Sequence, residues 1–388
     1  MRKIITIAAI CLVTFGTYAQ KNTVRWYKGN LHTHSYWSDG NEYPEMVIGW
    51  YKANGYDFVA LSDHNVLAQG EKWKQIPDQP LHRHGFERYL NQYGEEWVVY
   101  KKNESGGIEV KLKTYEEYKA LFEEKDKFLI MQAEEISKGP HIGAVNIREE
   151  IIPQDIEDRV KLAQSMIDAV YEQRKNTGQI MFAHVNHPNF GGSLNFDEMI
   201  QLRGDRFFEV YNGHPMVANF GNDKKPSTDI LWDRYLINCF EVDKPLIFGM
   251  GTDDTHDFLQ HGVGKSNGGR GWVMVKAREL TPESLITAME NGDFYASTGV
   301  LLESIRFKRK RLTVEIQKEP GVNYTIQFWG AKKGGKEGVL LKEEKGYKAS
   351  YKMTSDDLYV RSKIISSKLK ENPFQKGEFE MAWTQPVK

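Results

Sequence analysis

The chain has 388 residues, of which 40% are hydrophobic and 12% aromatic, and its formal net charge is −1. This length and composition exclude a disordered chain and allow a sizeable core with more than one domain. A charge so close to zero indicates no particular class of partner.

Residues 1–20 have the layout of a secretory signal peptide. Arg2 and Lys3 precede an apolar stretch that ends in small residues, so cleavage is expected after Ala19. The apolar stretch is short for a membrane span of about 20 residues. We therefore expect no stable membrane anchor and a periplasmic or secreted protein. Cys239 would then be the single remaining cysteine, which excludes an internal disulfide.

Short apolar runs alternate with helical patterns through the first three quarters of the chain. The predicted strands are, in order, VRWYKGNL, YDFVALSDHN, KFLIMQAEE, HIGAVNI, QIMFAHVNHP, RFFEVYNGH, PLIFGMGTDDTH and GWVMVKA. The predicted helices are YPEMVIGWYKANG, QDIEDRVKLAQSMIDAVYEQRKNTG, STDILWDRYLINCF and TPESLITAMENG. Strands that alternate with helices predict parallel pairing and an α/β architecture. Six to eight such units favour a barrel, although the pattern does not exclude an open sheet.

Residues 65–125 interrupt this alternation. The run VVYKKNESGGIEVKLK predicts a hairpin, and helical stretches flank it. We interpret this segment as an insertion on one loop, where specificity elements are often found. His82, Arg83 and His84 could contact an anionic substrate, but a solvated loop is the favoured interpretation.

From residue 302 the pattern changes to alternating strands such as RLTVEIQ, YTIQFWG and YVRSKIIS, which predict a small β-sandwich over 302–388. Residues 301–388 contain 19 Lys and Arg against 11 Asp and Glu, a net of +8, and no histidine. We therefore expect this tail to be a separate module, needed for stability but dispensable for chemistry. RFKRKR at 306–311 could bind a polyanion, although a solvated strand face is favoured.

Polar residues cluster where the predicted strands end. In chain order they are His32, His34, Asp63, His64, Glu134, Glu135, His141, His184, His187, Glu209, His214, Asp254 and His256. The carboxyl ends of strands form the active face of a β/α barrel, so these groups are expected to converge. Residues two apart on a strand point the same way, so His32 with His34 presents two ligands to one site. Imidazole with carboxylate predicts a site for zinc, manganese or iron.

The ordered motifs LHTHSYWSDG, ALSDHN, AEEIS, HIG, NHPNF and GTDDTH resemble those of the PHP superfamily, named for polymerase and histidinol phosphatase. The resemblance covers roughly residues 28–300 and is closest to secreted bacterial members with a C-terminal β domain. It implies a distorted (β/α)7 TIM-like barrel over 21–301, two or three divalent metal ions and phosphoesterase activity.

Carried over residue by residue, the resemblance implies nine metal ligands: His32, His34, Asp39, His64, Glu135, His141, His187, Asp254 and His256. The first ion would be held by His32, His34, Glu135 and Asp254. The second would be held by Glu135, His141 and His187, and the third by Asp39, His64 and His256. Asp254 is preferred to the adjacent Asp253 by spacing alone.

The resemblance also implies hydrolysis of a phosphate mono- or diester by a metal-bridging hydroxide, with catalytic roles for Asp63, His64 and His256. Asp63 and Asn65 could orient His64. The expected substrate is a small phosphoester or a glycan phosphate, with no nucleic acid. An amidohydrolase-type metal hydrolase is the nearest alternative, disfavoured because no lysine lies at the end of the fourth strand. A non-catalytic metal- or glycan-binding protein is the other.

Two further choices remain open in the sequence. His184 and His187 are three residues apart, so on a regular strand they would point to opposite faces. We predict that His187, beside Pro188, binds metal and that His184 is a core or supporting residue. Arg270 in the glycine-rich NGGRGW could bind phosphate, or it could lie on the wrong face.

Overall fold

The computed structural model describes residues 24–104 and 106–388. The predicted signal peptide lies outside the described residues. The helices are α1 Pro44–Ala53, α2 Pro80–Tyr93, α3 Tyr115–Phe122, α4 Arg159–Thr177, α5 Phe196–Met199, α6 Thr228–Glu241 and α7 Pro282–Glu290. No helix in the described part of the chain is both long and apolar enough to cross a membrane.

The strands up to the last helix and just beyond it are β1 Arg25–Asn30, β2 Phe58–Leu61, β3 Trp73–Gln75, β4 Tyr100–Lys102, β5 Ile108–Lys111, β6 Leu129–Ser137, β7 His141–Val145, β8 Phe182–Val185, β9 Phe207–Asn212, β10 Phe248–Thr252, β11 Trp272–Ala277 and β12 Phe294–Ser297. The tail contributes β13 Leu302–Lys308, β14 Arg311–Ile316, β15 Tyr324–Lys332, β16 Val339–Lys345, β17 Lys348–Lys352, β18 Asp357–Leu369 and β19 Phe379–Thr384.

Local sequence signals place the long helix α4. Asp158 caps its start by accepting the backbone N–H of Lys161, and Gly178 ends it in the left-handed conformation, with φ of 71°. Its apolar residues recur at helical spacing. The buried residues of the helix are Leu162, Ala163, Met166, Ile167 and Val170. The helix therefore covers one face of the sheet at β7 and β8.

The fold is mixed α/β, and one sheet dominates it. Its strand order is β10-β9-β8-β7-β6-β2-β1-β11-β12-β19-β18-β15-β16. Parallel pairs join β10 to β9, β9 to β8, β6 to β2 and β2 to β1. The predicted α/β class is confirmed in this coarse sense. Among the described strands, the hydrogen-bonded order has two free ends and does not close into a ring.

The predicted parallel pairing does not hold for every strand of the main sheet. β7 is antiparallel to both β6 and β8, and β11 is antiparallel to both β1 and β12. The reason for the first reversal is the connection: only residues 138–140 separate β6 from β7. A parallel connection needs a crossover of a dozen or more residues, so the chain turns back as a hairpin.

The insertion and the tail carry their own small sheets. Within 65–125, β3, β5 and β4 form an antiparallel sheet that contains the predicted hairpin β4–β5. In the tail, β13, β14 and β17 form a second three-stranded sheet. The remaining tail strands continue the main sheet, because β19 pairs with β12. Hydrogen bonding therefore runs across the predicted boundary at residue 302.

Candidate metal centre

His32 and His34 follow the end of β1, and they lie next to Asp254 and His256, which follow the end of β10. The N–H of His34 donates to the carbonyl of Thr255, and the N–H of Asp254 donates to the carbonyl of His32, both at 2.9 Å. The two segments therefore run side by side beyond the strands. Residues two apart on an extended chain share a face, as the spacing predicts for His32 and His34. Asp254 and His256 both lie against His34, although the chain is not extended at Asp254, where φ is 50°.

Four buried side chains form the innermost group. The Nε2 atom of His32 lies 3.2 Å from Oε2 of Glu135 and 3.3 Å from Oδ1 of Asp254. The Nε2 atom of His34 lies 3.4 Å and 3.1 Å from the same two oxygens. Ligand bonds of 2.0–2.1 Å in a tetrahedron place neighbouring ligand atoms about 3.3 Å apart. These separations fit one metal ion.

The Nε2 atom of His32 gives a second test of this fit. It is fully buried and has no hydrogen-bond partner among the described residues, although two carboxylate oxygens face it. A buried polar atom without a partner costs free energy. Its Nδ1 atom donates to Oε1 of Glu209 at 2.7 Å, which leaves Nε2 as the atom that would bind a metal.

The two oxygens of Glu135 face different groups. Oε2 faces the innermost group and also lies 3.2 Å from Nδ1 of His64. Oε1 lies 2.9 Å from Nδ1 of His141 and 3.0 Å from Nε2 of His187. Asn186 donates its side-chain N–H to the same Oε1 at 2.8 Å. This carboxylate is therefore placed to be shared between two ions.

Glu135 also belongs to a second group, with His64 and His141. A third group lies on the open side of the cluster and consists of His34, Asp39, His64 and His256. Asp39 is 57% exposed, the most exposed acid of the three groups. Its oxygens lie 3.3 Å from Nε2 of His256 and 3.6 Å from Nε2 of His64. The structure thus brings together all nine predicted ligands, and their assignment to individual ions stays a prediction.

The neighbouring acids Asp253 and Asp254 point to different places. Asp253 accepts the backbone N–H groups of Gly269, Arg270 and Gly271 at 3.0, 2.6 and 2.8 Å. All of its acceptor capacity is thus directed away from the histidines. Asp254 has a φ of 50° and faces the histidines, which agrees with the choice made by spacing.

His184 and His187 also separate in space. β8 ends at Val185, and His187 has a φ of 23°, so the chain leaves the regular strand between the two histidines. The ring of His184 lies against Gly143, where an added Cβ would be 2.0 Å from Nε2. Burial lowers the pKa of His184 to about 4. His187 is the histidine that reaches Glu135.

Asp63 lies outside all three groups. Its oxygens accept the N–H and Oγ–H of Ser35 at 2.8 and 2.7 Å and the Oγ–H of Ser38 at 2.6 Å. It thus holds the loop that leads to Asp39. None of these contacts reaches His64, and the predicted catalytic role of Asp63 stays a prediction.

Asn65 reaches His64 through a serine. It donates to the Oγ of Ser137 at 2.9 Å, and the same oxygen is hydrogen-bonded to Nδ1 of His64 at 2.9 Å. The predicted supporting role of Asn65 is therefore compatible with its contacts.

Glu209, on β9, received no role in the sequence analysis. It is fully buried and bonds to two predicted ligands, His32 through Nδ1 at 2.7 Å and His187 through its backbone N–H at 2.8 Å. Asn212 donates to it at 2.8 Å. Its position near the carboxyl end of a strand was the available signal, but an acid that orients a histidine cannot be told from an acid that binds metal by position alone.

The acids of the cluster are paired with histidines alone. In the described part of the chain, every ion-pair partner is an imidazole for the acids Asp39, Glu135, Glu209 and Asp254. Burial by itself would raise the pKa of Glu135, but the surrounding imidazoles, His32 first, lower it well below its usual range. The acids are therefore ionised at neutral pH and depend on protonated imidazoles or on metal ions for their countercharge.

Three of the residues considered for anion binding, Arg270, His82 and Arg83, are engaged elsewhere. Arg270 is fully buried and donates to backbone carbonyls, including that of Gly213 at 3.0 Å, so it lies on the wrong face for substrate. His82 is hydrogen-bonded to the hydroxyl of Tyr36 at 2.9 Å. The exposed Arg83 pairs with Asp78.

No family model matches the chain, and no curated protein matches it. Two solved structures are similar to it. One is a two-domain protein from Bacteroides vulgatus, described as containing a predicted PHP-like metal-dependent phosphoesterase. It is 13% identical, with a TM-score of 0.42 over 91% of this chain and 93% of that chain. The other, from Bifidobacterium adolescentis, is described as a candidate metal-dependent phosphoesterase. It is 14% identical, with a TM-score of 0.29 over 62% of this chain and 90% of that chain.

Proposed function

We propose that this protein is a metal-dependent phosphoesterase that hydrolyses a phosphate mono- or diester. The observation that carries the proposal is the set of carboxylates that, in the described part of the chain, form ion pairs with imidazoles alone, with Glu135 shared between two groups. Imidazole with carboxylate suits zinc, manganese or iron. Two ions that share a carboxylate are the arrangement used in many phosphate-transferring enzymes.

The predicted assignment of ligands is retained as part of the proposal. His32, His34, Glu135 and Asp254 would hold the first ion, Glu135, His141 and His187 the second, and Asp39, His64 and His256 the third. Divalent ions at these positions would lower the pKa of bound water to near neutrality and offset charge that develops on phosphoryl oxygens.

The side chains around the ligands hold them in place. Glu209 accepts from Nδ1 of His32, which directs Nε2 toward the carboxylates. Asp63 holds the loop of Asp39 through two serines, which supports a positioning role beside the predicted catalytic one. His64 and His256 line the open side with Asp39, where they would contact a substrate oxygen.

The other predictions about the protein remain part of the proposal. They are a distorted (β/α)7 barrel over residues 21–301, a β-sandwich over 302–388, and export after cleavage of residues 1–20. The substrate would be a small phosphoester or a glycan phosphate. Export would suit the scavenging of phosphoesters outside the cytoplasm.

Metal analysis and a substrate screen on mature protein test the proposal. We expect two or three zinc, manganese or iron ions per chain and release of nitrophenol from a nitrophenyl phosphate monoester or diester. Cyclic amides and non-phosphorylated glycans serve as controls for the two alternatives. Fewer than one ion per chain, unrestored by added zinc or manganese, would contradict the proposal. So would hydrolysis of a cyclic amide without hydrolysis of any phosphoester.

A further inference from the structure

The loop between β10 and β11 carries two predicted ligands, Asp254 and His256, and internal bonds hold its shape. Ser266 donates its hydroxyl to the carbonyl of Asp254 and accepts the N–H of His256 at 3.0 Å. Nδ1 of His256 is itself hydrogen-bonded to the carbonyl of Asp254 at 3.0 Å. Ser266 is therefore bonded to the backbone of both ligands.

Arg270 holds the far half of this loop. Its guanidinium, fully buried, donates to the carbonyl of Gly262 at 2.9 Å and to the carbonyl of Lys265, which directly precedes Ser266. Its backbone N–H donates to Asp253, which directly precedes Asp254. One arginine thus contacts the loop on both sides of the ligand pair.

The tail supplies further hydrogen-bond acceptors to the guanidinium of Arg270. Its Nε donates to the carbonyl of Asn372 at 3.1 Å, and its Nη2 donates to the carbonyl of Pro373 at 3.2 Å and to Oδ1 of Asn372 at 3.3 Å. A buried guanidinium needs all of its N–H groups satisfied, because unpaired ones cost free energy. Without the tail, Nε would lose its acceptor, and Nη2 would keep only the carbonyl of Gly262 and Oδ1 of Asn267.

Residues 370–374, called the strap below, make further contacts with the same loop. The ammonium of Lys370 donates to the carbonyl of Arg270 at 2.9 Å. The side chain of Asn372 donates to the carbonyl of Gly268 at 3.1 Å. The ring of Phe374 is buried and packs at 6.2 Å from that of Tyr211. The strap therefore lies against the loop along most of its second half.

We propose that the strap is a positioning element of the metal centre, which acts on Asp254 and His256 through Arg270 and Ser266. Asn372 is its central residue, because its side chain bonds to both Arg270 and Gly268. This inference rests on the proposed metal centre. It replaces the expectation that the tail is dispensable for chemistry.

The test uses the full mature chain and Zn²⁺ alone as the probe, with affinity measured by competition against a chromogenic chelator. Asn372→Ala should weaken Zn²⁺ binding by about tenfold or more, which is the usual effect of removing groups that orient metal ligands. Asn372→Asp keeps an acceptor beside the guanidinium and should bind Zn²⁺ more tightly than Asn372→Ala. Asn323→Ala is the matched control, because Asn323 is a tail residue that bonds to Ser367 through its backbone. It should match the wild type.

Urea unfolding of the metal-free variants separates positioning from stability. Wild-type Zn²⁺ affinity in a folded Asn372→Ala protein would overturn the inference, whatever its stability. Equal affinities of the Ala and Asp variants would overturn the role of the acceptor. Zn²⁺ binding by the wild type without turnover of any phosphoester would overturn the proposed function and leave this inference standing. A wild type that binds no Zn²⁺ would overturn this inference, and one that binds neither Zn²⁺ nor manganese nor iron would overturn the proposed function as well.

Discussion

Two buried clusters of charge in this molecule are built in different ways. One, between α6 and β18, pairs Asp229 and Asp233 with Arg361 and Lys363. Arg361 bonds to both oxygens of Asp233 at 2.8 Å, and Lys363 bonds to Asp229 at 2.5 Å. The other is the metal centre, whose acids have only histidines as ion-pair partners in the described part of the chain.

The difference lies in the source of the positive charge. Two acids with an arginine and a lysine are neutral at any physiological pH, so the α6–β18 cluster needs nothing from outside. Burial alone would raise the pKa of Asp229, yet Lys363 and Arg361 outweigh it and lower the pKa to about 2. Histidines carry charge only when protonated. The acids of the metal centre therefore need protons or metal ions, and this distinguishes a binding site from a structural ion network.

The largest expected effect is that of Glu135→Gln. This change removes one charge from the carboxylate shared by two groups, so we expect loss of at least one ion per chain. Turnover should fall by about a thousandfold or more, since metal ions supply several kcal/mol of transition-state stabilisation. Elemental analysis and phosphoester kinetics measure the two effects.

Glu134→Gln is the matched control for that experiment. Glu134 is the adjacent buried acid, but it accepts the N–H of Ile151 at 2.7 Å and lies in none of the three groups. Burial raises the pKa of Glu134 to about 8, so the neutral amide resembles its state at pH 7. Full metal content is expected. Equal behaviour of the two variants would contradict the role of Glu135.

Arg361→Met should have the opposite profile. It leaves Asp229 and Asp233 without their main partner, and breaking a buried pair in this way costs about 3–5 kcal/mol. Metal content and Zn²⁺ affinity of the folded protein should not change. Urea unfolding gives the free energy, and Lys101→Met, in the more exposed pair with Glu109, should change it by less than about 1 kcal/mol. Loss of metal from folded Arg361→Met would contradict the conclusion that the α6–β18 cluster is a structural ion network without a role in metal binding.

His187→Ala and His184→Ala sharpen the comparison within the centre. His187→Ala removes a group 3.0 Å from Glu135 and should lose one ion, with turnover reduced by about a hundredfold or more. His184→Ala should keep every ion and lower the free energy of unfolding by about 1–3 kcal/mol, since it empties packed space beside Gly143. Metal stoichiometry of the two folded variants decides between them, and the reverse pattern would transfer the ligand role to His184.

A further expected effect is a pH dependence of metal affinity. Burial alone would lower the pKa of His256, but the hydrogen bond to Asp39 and the charge of Asp254 raise it to about 9 in the metal-free protein. The pKa of His187 is also raised, since Glu135 outweighs burial. His256 is then protonated at pH 7 and must lose a proton to bind metal, and the raised pKa of His187 adds to the protons that binding releases.

Zn²⁺ affinity should therefore rise with pH up to about 9, by about tenfold per pH unit for each proton released. Calorimetry in two buffers with different ionisation enthalpies would count the protons. Glu134 lies outside the three groups, so the Zn²⁺ affinity of Glu134→Gln should depend on pH in the same way as that of the wild type. Binding without proton release would contradict the charge assignment.

Much of the centre follows from the sequence alone. The spacing of His32 with His34 predicted that this pair shares a face, because alternation along an extended chain is a local property. The chain is not extended at Asp254, where φ is 50°, so the tertiary structure decided that Asp254 and His256 lie together. The mixture of imidazole and carboxylate determined the class of ligand, because donor chemistry selects the metal. The helices and most strands were also predictable, since their signals lie within a few residues of each other.

Contacts between distant parts of the chain were decided by the tertiary structure. The sequence does not show that Asp253 turns to Gly269 and Gly271, nor that Glu209 orients His32 from 177 residues away. The bond between Arg270 and Asn372 spans 102 residues and joins a loop to a tail that composition had set apart. Such pairings depend on which surfaces meet after packing, and the local pattern of a sequence carries no record of them.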